Sequence, residues 1–401
     1  MFQRRIPDLL RHAPVPGVRS FAVLAGIESA ARAIMVSVFP IAMYNTFRDP
    51  EKISEIYLLI GIFSFITSLF VPWVSQFLPR RKLYTLGVLS LIAGTACSLI
   101  GGPLLLPLGL SVTALAVVTI TICFNAYVMD FVARASLDEA ETRRLQYSGG
   151  AWTLGPFLGI WLYQWWQPAP FIISLCASIL LLIVFWIYRL GDGKTIVKAK
   201  AKPANPLAFL PSFFKQPRLI IGWTFAVVRS CGWWVYVVYL PIYAVENGLS
   251  EQIGGLFLSC SNALLFLVPF LLRWLNGRVR YGVAIGFIFS GLAFIAAALL
   301  ASYQVNYTLC LLFIGSAFLI LLDMCGGLPF LMAVKPSERT EMSAVYSTYR
   351  DVSNVIGPGI ARITLVFLPL SAVFAVFGAG LLATAFLAKT LHPRLGKKKN
   401  A

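Results

Sequence analysis

Several ionisable side chains in this sequence stand inside long apolar runs, at Glu28, Arg32, Asp130, Arg229, Asp323 and Arg350. A charge near the middle of a bilayer costs roughly 2.5–3.5 kcal/mol on insertion scales, so each must be paired, wet or in use. Glu28 precedes Arg32 by one helical turn, acid first, the favoured order for an ion pair within a helix, and such a pair can open to admit a solute. Asp130 and Arg134 repeat that spacing near the end of their run, where a structural latch is expected. Arg229 and Asp323 have no partner on their own helices. Guanidinium groups at Arg32, Arg229 and Arg350 suit the anionic group of a substrate. A carboxylate held out of water favours its protonated form, which makes Glu28 and Asp323 the candidates for proton coupling. On a helical wheel Trp233, Tyr236 and Tyr243 fall within about 40° of Arg229, a face suited to a planar or apolar body. Tyr346, Arg350, Ser353 and Asn354 form a second polar face, and the adjacent Arg350 and Asp351 point about 100° apart. Arg362, near the end of its run, is expected to snorkel.

The elements that carry these groups follow from composition. Hydrophobic residues make up 59% of the 401 residues and charged ones 12%, against roughly 25% charged in a soluble protein. That supply cannot cover a water-facing surface of this size, so a soluble enzyme is excluded. Twelve apolar runs lie near 20–46, 53–78, 83–102, 110–134, 146–166, 169–189, 219–245, 252–275, 281–302, 306–334, 343–366 and 369–389. Each must be helical in hydrocarbon, where an unpaired backbone group costs several kcal/mol. Residues 190–217 are the one long connection, Lys/Ala/Pro-rich at first and ending in a segment expected to lie on the membrane surface. The expected organisation is therefore a six-helix bundle over 1–189, a linker over 190–217 and a second six-helix bundle over 218–401.

The net charge of +17 has a topological explanation. With both tails on one side, that side receives every loop Lys and Arg except Arg48 and Lys52, which places both termini in the cytoplasm. No nucleic-acid partner is needed. Cys97, Cys123, Cys176, Cys231, Cys260, Cys310 and Cys325 all fall in apolar runs and read as small buried hydrophobes, and the two histidines lie in the tails. No metal site or cofactor is expected.

The two halves echo each other. Tyr147 with Gly155-Pro156 recurs as Tyr349 with Gly357-Pro358, at one offset. With the six-plus-six plan, these features resemble the major facilitator superfamily over the whole chain. In that family a Gly-rich acidic and basic signature links spans two and three. Here the stretch from Pro72 to Lys82 keeps the basic end but has Gln76 for the acid and Pro72 and Pro79 for glycines. The segment from Gly149 to Gly159 partly resembles a motif of drug–proton antiporters. The resemblance implies a central cavity lined by spans one, four, seven and ten, the spans that carry Glu28/Arg32, Asp130, Arg229 and Asp323. It also makes Gly155, Pro156, Gly357 and Pro358 candidates for gating, beside their role in close helix packing.

The reading that follows is an all-α, multi-pass protein of the bacterial inner or plasma membrane, a monomer, that moves a small organic solute by alternating access with protons as partner. Drug-type efflux and lipid or glycolipid flipping are alternatives. A membrane-embedded enzyme would need acid–base groups gathered near one interface, and here they are spread through the spans.

Overall fold

Apolar runs become helices here, and the places where they break are set by proline, glycine and back-bonded hydroxyls. The computed structural model describes residues 18–74, 77–131, 137–188, 206–267, 278–334 and 339–391. The first half comprises α1 (Val18–Ala33), α2 (Val38–Phe47), α3 (Pro50–Val74), α4 (Arg80–Ile100), α5 (Gly102–Phe131), α6 (Leu137–Trp165) and α7 (Ala169–Ile187). A short α8 (Pro206–Phe214) follows, then α9 (Pro217–Glu246), α10 (Gln252–Ala263), α11 (Val279–Leu300), α12 (Val305–Cys325), α13 (Leu328–Ala333), α14 (Arg339–Ser347), α15 (Tyr349–Phe367) and α16 (Leu370–Leu387).

Among the described residues nine stretches are long and apolar enough to cross a membrane. The three other expected runs coincide with α6, with the short α10, and with α15, whose Arg350, Asp351 and Arg362 lower its apolar character. Phe63, Phe70, Ile183 and Phe367 are each more than half exposed. Water would not tolerate such a surface over so many helices, and a bilayer solvates it. The chain is a multi-pass membrane protein.

The expected run 20–46 is two helices, not one. Pro40 lacks the N–H that would bond Val36, so the helix opens one turn earlier, over residues 34–37. The opening is filled by α6: a Cβ on Gly155 would stand 2.7 Å from the Ala33 Cβ, and one on Gly159 would collide with the Ile34 carbonyl. The Ser37 hydroxyl donates to the Pro156 carbonyl at 2.6 Å. The run 306–334 is likewise broken, at Gly326-Gly327 between α12 and α13. Residues 343–366 divide at Thr348, whose hydroxyl bonds back to the Val345 carbonyl at 2.7 Å.

One packing plan appears twice. In the first half α6 runs along α1 and, across the halves, along α10; in the second, α15 runs along α9 and, across the halves, along α3. The helices bearing the repeated Gly-Pro pair thus form both seams between the halves. The α8 segment does not lie free on a membrane surface. Phe213 is fully buried with Leu219, Phe330, Val334 and Met342, so this segment docks on the second half. The cysteines also depart from expectation: Cys123, Cys231 and Cys325 are buried, Cys97 is half-buried, but Cys176, Cys260 and Cys310 are exposed on helix faces, where a lipid tail suits a thiol as well as a core does.

Candidate functional site

Among the described residues, each half shows a tight ion pair with an aromatic ring beside it. On α1, Arg32 Nη1 lies 2.7 Å from Glu28 Oε1, the pairing that the spacing predicts. The same guanidinium stands 5.7 Å from the ring of Trp152 on α6. In the second half, Arg229 on α9 reaches Asp323 on α12, Nε to Oδ1 at 2.9 Å. The approach is oblique to the N–H bond, so the contact is an ion pair without a straight hydrogen bond. The other oxygen, Oδ2, accepts the Trp233 indole N–H at 2.8 Å.

Local sequence explains the second pair. Trp233 follows Arg229 by one turn of α9, so both point at the same carboxylate. Asp323 sits in the last turn of α12, where the chain breaks at Gly326. A Cβ on Gly326 would stand 2.6 Å from the Leu322 carbonyl, so it is the turn at the end of α12 that needs this glycine, while Arg229 Nη1 would lie at ordinary contact distance, 3.6 Å. Burial within the pair is uneven: the Arg229 side chain is 9% exposed and that of Asp323 is 35% exposed. Arg32 and Glu28 are half-buried. The acid of the second pair is thus the less covered partner, although it stands about 15 Å from the end of α13 at 1.5 Å per residue.

A ring ladder continues from there. Tyr349, first residue of α15, has Arg229 5.5 Å from its centroid and Arg350 5.6 Å from it. Arg350 Nε donates to the Tyr349 hydroxyl at 3.1 Å. Tyr346 lies 5.3 Å from Tyr349, and Phe330 stacks on Tyr346 at 3.9 Å and 14°.

The structure thus gathers Arg229, Trp233, Asp323 and Arg350 in one place and Glu28 and Arg32 in another. Tyr236 departs from the shared face inferred by the wheel. It is fully buried, its hydroxyl 2.7 Å from Ser261, which in turn meets Ser316 at 2.8 Å. Tyr243 is buried too, donating to the Ala301 carbonyl. Asn354 is exposed, and its backbone carbonyl abuts Gly61 across the α3–α15 seam. Gly155 and Pro156 pack on α1 and α2, while Gly357 meets the Trp234 ring beside Pro358. Arg134 and the side chain of Asp130 lie outside the described residues. Arg362 does not simply snorkel: it pairs with Glu55 of the other half at 3.6 Å. Sequence reasoning missed Trp152 and the shared use of Tyr349. The adjacency of Tyr349 to Arg350 was the available signal.

Polar links between the halves gather toward the end that holds Asn45. Asn45 donates to Glu251 at 2.9 Å, Gln164 to Ser250 at 3.4 Å, and Ser54 bonds Tyr239. The Phe157 N–H donates to Ser259 at 2.9 Å, and Ser68 bonds Asp351 farther along the α3–α15 seam. Above the first links lies a cavity of about 470 Å³, lined by Asn45, Arg48, Tyr163, Gln164 and Glu251 among others.

A family model described as Major Facilitator Superfamily matches residues 21–358. No curated protein sequence matches the chain. Solved structures do. A peptide transporter POT in complex with sulfate is 14% identical, with 97% of this chain and 98% of that one covered and a TM-score of 0.75. A POT family transporter in complex with 5-aminolevulinic acid is 14% identical, covering 97% and 100%, with a TM-score of 0.73. A mutant of the nucleoside transporter NupG is 13% identical, covering 93% and 99%, with a TM-score of 0.69. Likeness at these identities is one of fold.

Proposed function

From the premise that the chain belongs to the Major Facilitator Superfamily, we propose that it is a secondary active transporter that carries a small organic solute by alternating access. Twelve spans with both termini in the cytoplasm match the loop charges, and that orientation puts the Asn45 end outside. The state described is then closed toward the outside by the Asn45–Glu251, Ser54–Tyr239 and Glu55–Arg362 links.

The observation that carries this reading is the exposure of Asp323. A sealed ion pair would be a structural staple, but a carboxylate that is 35% exposed while paired to a buried guanidinium is reachable by solute and proton. Proton coupling at Asp323 or Glu28 follows as part of the proposal: protonation of either acid frees its arginine for a solute, and by the same linkage a bound solute holds that acid in its protonated form. The α6 and α15 helices, which form both seams, serve as the surfaces on which the halves rock.

The test is a thermal-shift screen of the purified protein against organic anions, cations, zwitterions and neutral solutes, at one acidic and one alkaline pH. Solutes that stabilise it are then taken to counterflow in proteoliposomes. Exchange of a stabilising solute, faster with an imposed pH gradient, is expected. If no stabilising solute exchanges across the membrane, the transport reading fails. If exchange occurs and Asp323→Asn remains fully dependent on the gradient, Asp323 is not the coupling acid.

A further inference from the structure

Direct ion pairing in the two clusters leaves one guanidinium over among the described residues. Glu28 neutralises Arg32, and Asp323 neutralises Arg229. Arg350 is exposed and has no carboxylate at ion-pair distance among the described residues. Its neighbour Asp351 bonds Ser68 on α3, and both Asp351 and Asp323 lie within electrostatic reach of Arg350 without pairing with it directly. Its Nε is committed to the Tyr349 hydroxyl, which fixes the plane of the guanidinium and leaves Nη1 and Nη2 as a free fork. Beside that fork stand two half-buried rings, Tyr349 and Tyr346, the second backed by the buried Phe330.

We infer that the solute is a planar organic monoanion, a carboxylate on an aromatic or conjugated body, with Arg350 holding the carboxylate and the Tyr349–Tyr346 pair lying against one side of the ring. This deepens the transport reading and rests on it. The anchor is Arg350, and not Arg229, because Arg229 is nearly sealed and already faces an acid. A guanidinium held in one plane pairs with the two oxygens of a carboxylate side by side, which an ammonium cannot do. One uncompensated cation matches one negative charge. A dianion would leave a charge unpaired in a low-dielectric cavity, and a cation would meet a surplus of its own sign. The rings, tilted 55° to each other, supply rigid apolar area at modest entropic cost, which suits a flat body better than a flexible chain.

The test uses the purified full-length protein and isothermal titration with benzoate, benzamide, benzylamine and hexanoate. Benzoate is expected to bind at least about tenfold more tightly than benzamide or benzylamine, the cost of an unanswered charge. Arg350→Gln is expected to lose about tenfold or more in benzoate affinity, and Arg350→Lys to lose less, with thermal midpoints unchanged because the side chain is exposed. Tyr349→Leu weakens benzoate more than hexanoate. Preference for benzylamine, no binding by any of the four probes, or an Arg350→Gln affinity within about twofold of the parent overturns the inference. Counterflow keeps the two readings apart. Exchange of a cationic or neutral solute by the same preparation preserves transport while removing the anion assignment, whereas absence of any exchange removes transport itself.

Discussion

At the scale of single residues, the Arg229–Asp323 pair decides most. Leaving a sealed guanidinium without its acid costs about 3–5 kcal/mol. Because Asp323 is 35% exposed, water recovers part of that. Asp323→Asn is therefore expected to lose about 2–3 kcal/mol, read as a lower thermal midpoint in detergent. The double replacement Arg229→Met with Asp323→Leu removes both charges and is expected to regain most of the loss. A double variant no more stable than the single one contradicts the pairing. Sequence alone marked both residues as costly and both as lacking a partner on their own helix. It could not join them, because helical periodicity relates positions along one helix and says nothing of which faces of two helices meet. The Glu28–Arg32 pair was legible for the complementary reason: its geometry is local. Tyr236 shows the same limit, since the wheel gave its direction but not that α10 and α12 would cover it with Ser261 and Ser316.

At the scale of elements, the opening between α1 and α2 and its filling by α6 form one unit. Gly159 approaches the Ile34 carbonyl so closely that any side chain must push α6 away, whereas Gly150 on the same helix has nothing within 4 Å of its Cβ position. Gly159→Ala is expected to lower stability by about 1–3 kcal/mol and Gly150→Ala to leave it unchanged or slightly raised, measured as thermal midpoints under one condition. Equal effects at the two positions would show that the close approach is not real. The Gly-Pro repeat pointed to α6 and α15 as special, and the structure makes them the seams. The break at residues 34–37 was foreshadowed by Pro40, but an apolar run long enough to span hides an interruption that leaves the overall direction unchanged. The docking of α8 was hidden as well, because an apolar nonamer reads alike whether it meets lipid or protein.

At the scale of the whole molecule, the polar links between halves seen among the described residues gather toward one end. Asn45→Ala combined with Arg362→Ala removes two of them, together worth about 2 kcal/mol at roughly 1 kcal/mol each. A cysteine placed at Ser54, which is fully buried in the closed seam, is expected to react with a membrane-impermeant maleimide about fivefold faster or more in that background, with native thiols subtracted. An unchanged rate would mean that these contacts do not hold the seam shut. The membrane class was readable from composition, since it follows from solvation. Which end is shut was not, because it depends on a balance of a few weak bonds. That balance has a mechanical corollary. Among the described residues, the two short ion pairs Glu28–Arg32 and Arg229–Asp323 each lie within one half, whereas Glu55 with Arg362, which joins the halves, is longer and well exposed. If the halves pivot, their strongest electrostatic attachments ride along undisturbed as passengers. What must part is a mixture of neutral bonds and bonds to exposed or part-buried carboxylates, so added salt should loosen the seam modestly, while warming should quicken switching.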